Sequence, residues 1–157
     1  MEKRIERLKQ ELLKLSIKTN ETEDKDWLSF TQDGLMFRCT VDENMDFMTI
    51  GIGFYQEHDG VERDKILDLI NRVNHRINYA KVIELEDVFW ITYELDVEKR
   101  MPDKEEIEKM IQLLTRDYDL LVSAYNESIG LTEHEEEFEQ NAGAFDWDGY
   151  MNNESKE

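Results

Sequence analysis

A group of polar side chains interrupts the apolar helix pattern of residues 69–78, LINRVNHRIN. On a helical wheel, Asn71, Asn74 and Asn78 cluster on one flank of the apolar stripe, and His75 points further toward solvent. Side-chain amides in such positions can bind an added peptide backbone or a ligand, or they can cap the helix and bond neighbouring loop backbone. We expect the second role, with Asn78 ending the helix in the left-handed conformation and the other two asparagines bonding backbone at the buried edge.

A second polar run, Asp42-x-Asn44-x-Asp46, has the spacing that starts a calcium-binding loop. Such a loop needs a sharp turn at its sixth position and a bidentate glutamate at its twelfth, where this chain has Phe47 and Gly53. The run therefore predicts a hairpin turn and no metal site. A fragment of the same pattern, FDWDGY at residues 145–150, has nothing to complete it.

The residues that most often carry catalysis are scattered along the chain. His58, His75 and His134 lie in three separate segments, and Cys39 falls in a predicted strand, so neither a zinc set nor a Cys-His pair has usable local spacing. The sequence contains no glycine-rich phosphate loop, Gly-x-Ser-x-Gly elbow or dinucleotide fingerprint. We expect a buried thiol, solvent-exposed histidines and a protein that is not an enzyme and holds no cofactor or metal.

Two glycines on one predicted strand indicate a different kind of site. In FMTIGIGF, residues 47–54, Gly51 and Gly53 share a face, and a later strand places Val88 and Trp90 beside them. A strand face without side chains lets another backbone or an aromatic ring approach closely. We expect this partly apolar face to contact a partner or a second copy of the chain. Cover by the first helix or by the C-terminal tail is the alternative, since apolar patches are seldom left exposed.

The elements that position these residues follow from the periodicity of the apolar side chains. Spacings of three and four predict helices over residues 2–17 and 62–78 and from Pro102 toward Gly130, and alternation predicts strands over 27–30, 35–41, 47–54, 80–86 and 88–97. Tight turns are expected at 33–34 and 86–87. The order α-β-β-β-α-β-β-α predicts one α+β domain over residues 1–130, an antiparallel sheet of about five strands with helices on its apolar face. One interior is expected to contain Val73, Ile77, Ile91, Leu114 and Leu121.

Residues 131–157 are expected to form an acidic tail outside that domain. The tail has nine acidic residues and one lysine, a net charge of −8, yet Phe145, Trp147 and Tyr150 are interspersed among them. Purely solvating tails lack aromatic residues. Docking of the tail into an apolar groove and the absence of regular structure both remain compatible with this composition.

Composition restricts the class of partner. The chain has 38 acidic and 19 basic residues, a net charge of −19, which disfavours binding to nucleic acid and to anionic membranes. No apolar run is long enough for a membrane span, one cysteine excludes an intrachain disulfide, and the charged N-terminus does not look like a signal peptide. We expect a cytoplasmic protein whose partners carry basic surfaces or segments.

Three consecutive segments carry a family resemblance: ILDLINRVNHRINYAKVIELED, then VFWITYEL, then the long helix EEIEKMIQLLTRDYDLLVSAYN. In element order and in the run LINRVN at residues 69–74, residues 3–128 resemble the YbjN family of candidate bacterial sensory transduction regulators. The resemblance implies the fold of type III secretion chaperones and a small acidic protein without an established reaction. For the chaperone branch it also implies a dimer that holds a partly unfolded client.

These observations predict a non-enzymatic protein-binding adaptor or chaperone-like regulator, acting in bacterial signalling or a stress response and able to form a homodimer. Apolar residues of the client would be buried on a helix–sheet surface, and an acidic rim would select basic segments. The residues expected to contact the client are Gly51, Gly53, Val88, Trp90, Asn71, Asn74, Phe145, Trp147 and Tyr150. The alternative is a small-molecule sensor or an enzyme with a pocket around Asn71, Asn74 and Trp90. A third hypothesis, acidic mimicry of nucleic acid, requires acids at phosphate-like spacing.

Overall fold

The computed structural model describes residues 3–21, 27–55, 58 and 60–130. Three α-helices and six strands are found in these residues. In chain order they are α1 (Arg4–Lys14), β1 (Asn20–Glu21), β2 (Trp27–Gln32), β3 (Leu35–Asp42), β4 (Phe47–Phe54), α2 (Arg63–Arg76), β5 (Ala80–Leu85), β6 (Val88–Asp96) and α3 (Lys104–Tyr125), followed by a π-helical turn at Asn126–Gly130.

The strands form one antiparallel sheet in the order β1-β2-β3-β4-β6-β5. The predicted α+β class and the predicted order of the longer elements are confirmed. The two-residue strand β1 is an addition, because no strand is predicted before residue 27. Asn20 pairs with Ser29 at the edge of the sheet, and a strand this short has no periodicity that a sequence pattern could detect.

Tight turns close the hairpins where the sequence placed them. Asp33 and Gly34 have φ values of 52° and 80°, and Glu86 and Asp87 have φ values of 51° and 65°. Two consecutive residues with positive φ are typical of the type I′ turn, whose twist matches that of the flanking strands. Glycine supplies this conformation without strain at position 34, whereas the second turn adopts it with two acidic residues.

One hydrophobic core lies between the sheet and the helices. The apolar stripes of α1, α2 and α3 pack against the inward side chains of the strands, among them the stacked rings of Phe30 and Phe37, whose centroids are 4.9 Å apart. The residues that were expected to share this interior are all buried: Val73, Ile77, Ile91, Leu114 and Leu121. Burial of this continuous surface is the main favourable contribution to folding.

The central helix α3 begins with a capping box. The Asp103 carboxylate accepts a hydrogen bond from the backbone N–H of Glu106 at 2.9 Å, and the Glu106 carboxylate accepts one from the Asp103 N–H at 3.5 Å. These two bonds satisfy donors that the first helical turn leaves free. The helix therefore starts at Lys104, two residues after Pro102, where the sequence pattern had placed its beginning.

The end of α2 differs from the prediction. The helix ends at Arg76, and Ile77 already has an extended backbone with φ −93° and ψ 152°. Asn78 is not left-handed, so its predicted role as a left-handed cap is wrong. After the helix the chain runs toward β5, and the Ile77 side chain is buried in the core. In the described part of the chain, no helix combines the length and the apolarity that crossing a bilayer requires.

Candidate functional site

The face of the sheet that points away from the helices is the candidate site. Side chains alternate between the two faces of a strand, and the antiparallel register aligns the outward positions of neighbouring strands. These outward positions are Trp27, Ser29, Thr31, Met36, Arg38, Thr40, Asp42, Phe47, Thr49, Gly51, Gly53, Lys81, Ile83, Leu85, Val88, Trp90, Thr92, Glu94 and Asp96, with Tyr55 directly after β4. We call this surface the open face, because the three described helices all pack on the other face.

Large apolar and aromatic side chains are exposed on the open face. Tyr55 is 60% exposed, Met36 55% and Leu85 56%. Trp27 and Trp90 are half-buried. Single exposed apolar residues are ordinary on protein surfaces, but several on one face suggest a contact surface.

Two interactions hold charged side chains flat against the open face. The Arg38 guanidinium lies over the Trp27 ring, 4.0 Å from the ring centroid. Lys81 and Glu94, on neighbouring strands, form an ion pair at 3.2 Å. A cation over an indole ring lies in the position favoured by the ring quadrupole, and the ion pair leaves little net charge in its part of the face.

The two glycines have different neighbours. Gly53 leaves room for the Tyr55 ring, since a Cβ atom at this position would lie 2.7 Å from the ring. That ring also meets Trp90 edge to face, with centroids 5.9 Å apart. Gly51 lies against backbone, because its Cβ would be 2.8 Å from the carbonyl oxygen of Ile91. An aromatic ring thus approaches Gly53 closely, but it belongs to the same chain, and contact of this face with a partner stays a prediction.

The predicted contact residues separate into three groups. Gly51, Gly53, Val88 and Trp90 lie together on the open face, and Gly53 and Trp90 are paired across β4 and β6. Asn71 and Asn74 lie on α2, which packs on the other face. The third group, Phe145, Trp147 and Tyr150, falls outside the described residues. Of the alternatives for covering the glycine face, cover by α1 is wrong because α1 contacts the core side of β2 and β3.

Asn74 binds backbone at the edge of the sheet. Its Nδ2 donates to the Val82 carbonyl oxygen at 3.0 Å, and its Oδ1 accepts from the Val82 N–H at 2.6 Å. Asn71, one turn earlier on α2, is exposed, so its expected position at the buried edge is wrong. The amide of Asn74 thus satisfies two groups of edge strand β5 that have no neighbouring strand. This is the structural role expected for Asn74.

The alternative pocket around Asn71, Asn74 and Trp90 is not formed by these residues. Trp90 is an outward residue of β6, and the inward residues on either side of it, Phe89 and Ile91, are fully buried under the helices. The thickness of the sheet therefore separates Trp90 from α2.

A shallow depression of about 680 Å³ lies at one end of the open face. Its lining combines the aromatic rings of Trp27 and Phe47 with basic side chains and carboxylates, those of Lys3, Arg38, Asp42 and Glu43. The register places Asp96 directly beside Phe47. Aromatic rings next to carboxylates are suited to an apolar side chain beside a basic one.

The Asp42-x-Asn44-x-Asp46 run forms a hairpin turn, as predicted. One Asp42 carboxylate oxygen accepts the backbone N–H groups of Asn44 and Met45 at 3.0 and 2.9 Å. Asp46 has a positive φ of 57° and pairs with Arg4 at 2.6 Å. These carboxylates stabilise the turn and its contact with the start of α1.

The cysteine and the histidines follow the sequence expectations in part. Cys39 is buried, and burial raises the pKa of its thiol to about 12. His75 is exposed, and His134 lies outside the described residues. His58 was expected to be in solvent, and this is wrong: it is buried next to Glu84. The reason is tertiary, since position 58 lies beside Glu84 of β5, which is 26 residues away in the sequence.

Sequence patterns missed the acid that holds His58 and the aromatic residue that covers Gly53. Glu84 follows Ala80 and Val82 at the inward positions of β5, and an acid at an inward strand position signals a buried partner. Tyr55 shares the parity of the two glycines, but it lies just past the predicted strand. His58 gave no local signal because it is 26 residues from Glu84.

Comparison with known proteins supports the fold. No family model matches the sequence, and no curated protein sequence matches it significantly. The crystal structure of YbjN from E. coli, described as a candidate transcription regulator, is similar with a TM-score of 0.58 and 14% identity, over 78% of this chain and 90% of YbjN. The predicted YbjN-like fold is thereby confirmed, and at this identity the likeness concerns the fold alone.

Proposed function

We propose that this chain is a non-enzymatic adaptor or regulator that binds a protein partner on the open face of its sheet. The observation that supports this most directly is the exposure of Met36, Tyr55 and Leu85 on a face that no described helix covers. Exposed apolar side chains grouped in this way commonly mark contact surfaces. Aromatic residues and methionine are also enriched where proteins meet.

The proposed partner presents an apolar segment flanked by basic residues. Its apolar side chains would cover the aromatic residues of the open face and the depression beside Phe47. Its basic residues would meet the carboxylates of Asp42, Glu43 and Asp96 at the rim. Exposed ion pairs contribute only about 0.2–1 kcal/mol each, so the apolar contacts would supply most of the affinity. The net charge of −19 would accelerate encounter with a basic partner.

The similar structure and the charge together favour a regulator that acts through proteins. YbjN is described as a candidate transcription regulator. A chain with twice as many acidic as basic residues repels the phosphates that a direct DNA reader must contact. A regulatory role on this fold is therefore better served by binding another protein than by binding DNA.

Site-specific photocrosslinking in the native cell tests where the partner binds. A photoreactive amino acid at position 36 or 55 is expected to crosslink the same protein. The matched control is position 79, because Tyr79 is 66% exposed but stacks on Tyr93, an inward residue of β6. Crosslinking of that protein from position 79 and not from 36 or 55 would place the partner elsewhere and contradict the proposal.

The purified partner then gives an affinity measurement. Combined Met36→Ser and Tyr55→Ser changes should weaken binding tenfold or more, since loss of two apolar anchors costs at least about 1.4 kcal/mol. Tyr79→Ser should leave affinity within about twofold. Raising salt from 50 to 500 mM should weaken binding if basic residues meet the rim, because exposed charge pairs are screened.

Two other occupants of the open face are distinguishable outcomes. Crosslinks from position 36 to a second copy of this chain would show a homodimer interface in place of a partner site. Crosslinks to residues 131–157 of the same chain would show that the tail covers the face. Either result as the sole product would overturn the proposed partner site.

A further inference from the structure

A cluster of possible metal ligands lies at the end of the sheet, away from the depression beside Phe47. His58, Glu84 and Asp87 come from the loop after β4, from β5 and from the turn between β5 and β6. Each offers one ligand atom, and these three atoms all lie within 4.8 Å of one another. His58 Nε2 and Glu84 Oε2 are 2.8 Å apart.

The imidazole of His58 is held in place by packing. Only 4% of its side chain is exposed, and its ring lies on Phe89 with the centroids 4.6 Å apart. The His58 carbonyl oxygen accepts a hydrogen bond from the Val61 N–H at 3.2 Å. Because the ring is already ordered, binding of an ion in place of the proton between His58 and Glu84 would not carry the entropic cost of ordering the ring.

The carboxylate of Glu84 is also oriented before any ion binds. Arg63, at the start of α2, pairs with Oε1, and this leaves Oε2 directed at His58. Burial raises the pKa of Glu84, but the hydrogen bonds and charges of Arg63 and His58 outweigh burial and hold it below its usual value. Hydrogen-bonded partners of this kind commonly fix a ligating carboxylate in metal sites.

Asp87 completes the group from the solvent side. It is exposed and has a positive φ of 65° in the tight turn. One ligand of the group is therefore in contact with solvent, whereas His58 is buried and Glu84 is partly buried.

We propose that His58, Glu84 and Asp87 bind a zinc ion, with water in the fourth position. Zinc bonds to imidazole nitrogen and to carboxylate oxygen are about 2.0–2.2 Å long, so ligand atoms around a tetrahedral ion lie roughly 3.3 Å apart. Small side-chain shifts would bring the present separations to that value. An imidazole in the set favours zinc over magnesium and calcium, which prefer oxygen ligands alone. The ion would tie the loop after β4 to the turn after β5.

Zinc titration of the chelator-treated full-length chain tests this site. The background variant is His134→Gln, because His134 in the C-terminal segment has acidic neighbours that could bind zinc independently. We expect one zinc ion per chain by calorimetry and an increase in Tm, with no comparable increase from magnesium or calcium at the same concentration. A Tm that does not respond to zinc, or a stoichiometry well below one, would overturn the proposal.

Ligand variants locate the ion. Asp87→Asn and Glu84→Gln should each weaken zinc binding tenfold or more. Asp33→Asn is the matched control, since Asp33 is also an acidic residue with positive φ in a two-residue hairpin turn, and it should leave zinc affinity within about twofold. Equal affinity in all three variants would show that zinc binds other acids, and the cluster would then be only an ion-pair network of His58, Arg63 and Glu84.

Discussion

Replacing Asn74 with alanine tests how α2 is fastened to the sheet. β5 is an edge strand, with β6 on one side only. On its free side, the backbone N–H and C=O of Val82 both bond to the Asn74 amide, at 2.6 and 3.0 Å. Alanine removes both bonds and leaves these two backbone groups to water or to another strand.

The size of the effect follows from these two bonds. An intramolecular hydrogen bond contributes about 0.5–1.5 kcal/mol net, so the pair should contribute about 1–3 kcal/mol to the free energy of unfolding. Alanine is a better helix former than asparagine by up to about 0.7 kcal/mol, which offsets part of the loss. We expect a net destabilisation of about 1–2 kcal/mol. For a chain of this length that corresponds to a decrease in Tm of roughly 2–8 °C.

Asn71→Ala is the matched control. Asn71 lies on the same helix, is exposed, and would gain the same helix propensity. Urea unfolding of both variants, followed by circular dichroism, should show Asn71→Ala to be neutral or slightly stabilising. The difference between the two variants then isolates the hydrogen bonds and should be about 1–3 kcal/mol. If the two variants unfold at the same urea concentration, the contact between α2 and β5 contributes nothing and our explanation of the asparagine pattern is refuted.

Three further predictions concern buried positions. Gly51→Ala should destabilise the chain by about 1–3 kcal/mol in urea unfolding, because its Cβ would lie 2.8 Å from a backbone oxygen of β6. Gly53→Ala should destabilise it less, because only a side-chain ring must move. A larger loss of stability in Gly53→Ala than in Gly51→Ala would contradict the packing described. Because burial raises the Cys39 pKa to about 12, Ellman's reagent at pH 8 should react about a hundredfold or more slowly with the folded chain than with the unfolded chain; equal rates would show an accessible thiol. Burial also raises the pKa of Asp117, an effect that Arg116 partly offsets, so ionisation of this carboxyl opposes folding above the raised pKa. Asp117→Asn should therefore increase the free energy of unfolding at pH 7, and the increase should shrink toward pH 4. A loss of stability at pH 7 would contradict this.

Strand alternation made the faces of the sheet predictable. The parity of β3 separates Cys39, which is buried, from Met36 and Arg38, which point to the open face. The same parity placed Gly51 and Gly53 beside Val88 and Trp90. These predictions succeeded because successive side chains of a strand must point to opposite faces, whatever the rest of the chain does.

Contacts between distant segments could not be predicted in the same way. The pocket expected around Asn74 and Trp90 required α2 to lie on the Trp90 side of the sheet. Helix periodicity shows which side of a helix is apolar, but it does not show which face of the sheet that helix packs against. The contact between His58 and Glu84 joins positions that are 26 residues apart in the sequence. Neither helix periodicity nor strand alternation contains information on such contacts between distant segments.

The sequence by itself determined the longer secondary-structure elements, their order, the hairpin turns and which side chains of each element are apolar. These features depend on local backbone geometry and on spacings of two or three to four residues. Tertiary structure decided that the described helices all cover one face of the sheet, that Asn74 bonds the free backbone groups of edge strand β5 and that His58 is buried beside an acid. These outcomes depend on burying the largest apolar area while satisfying each buried polar group, which is a property of the whole chain.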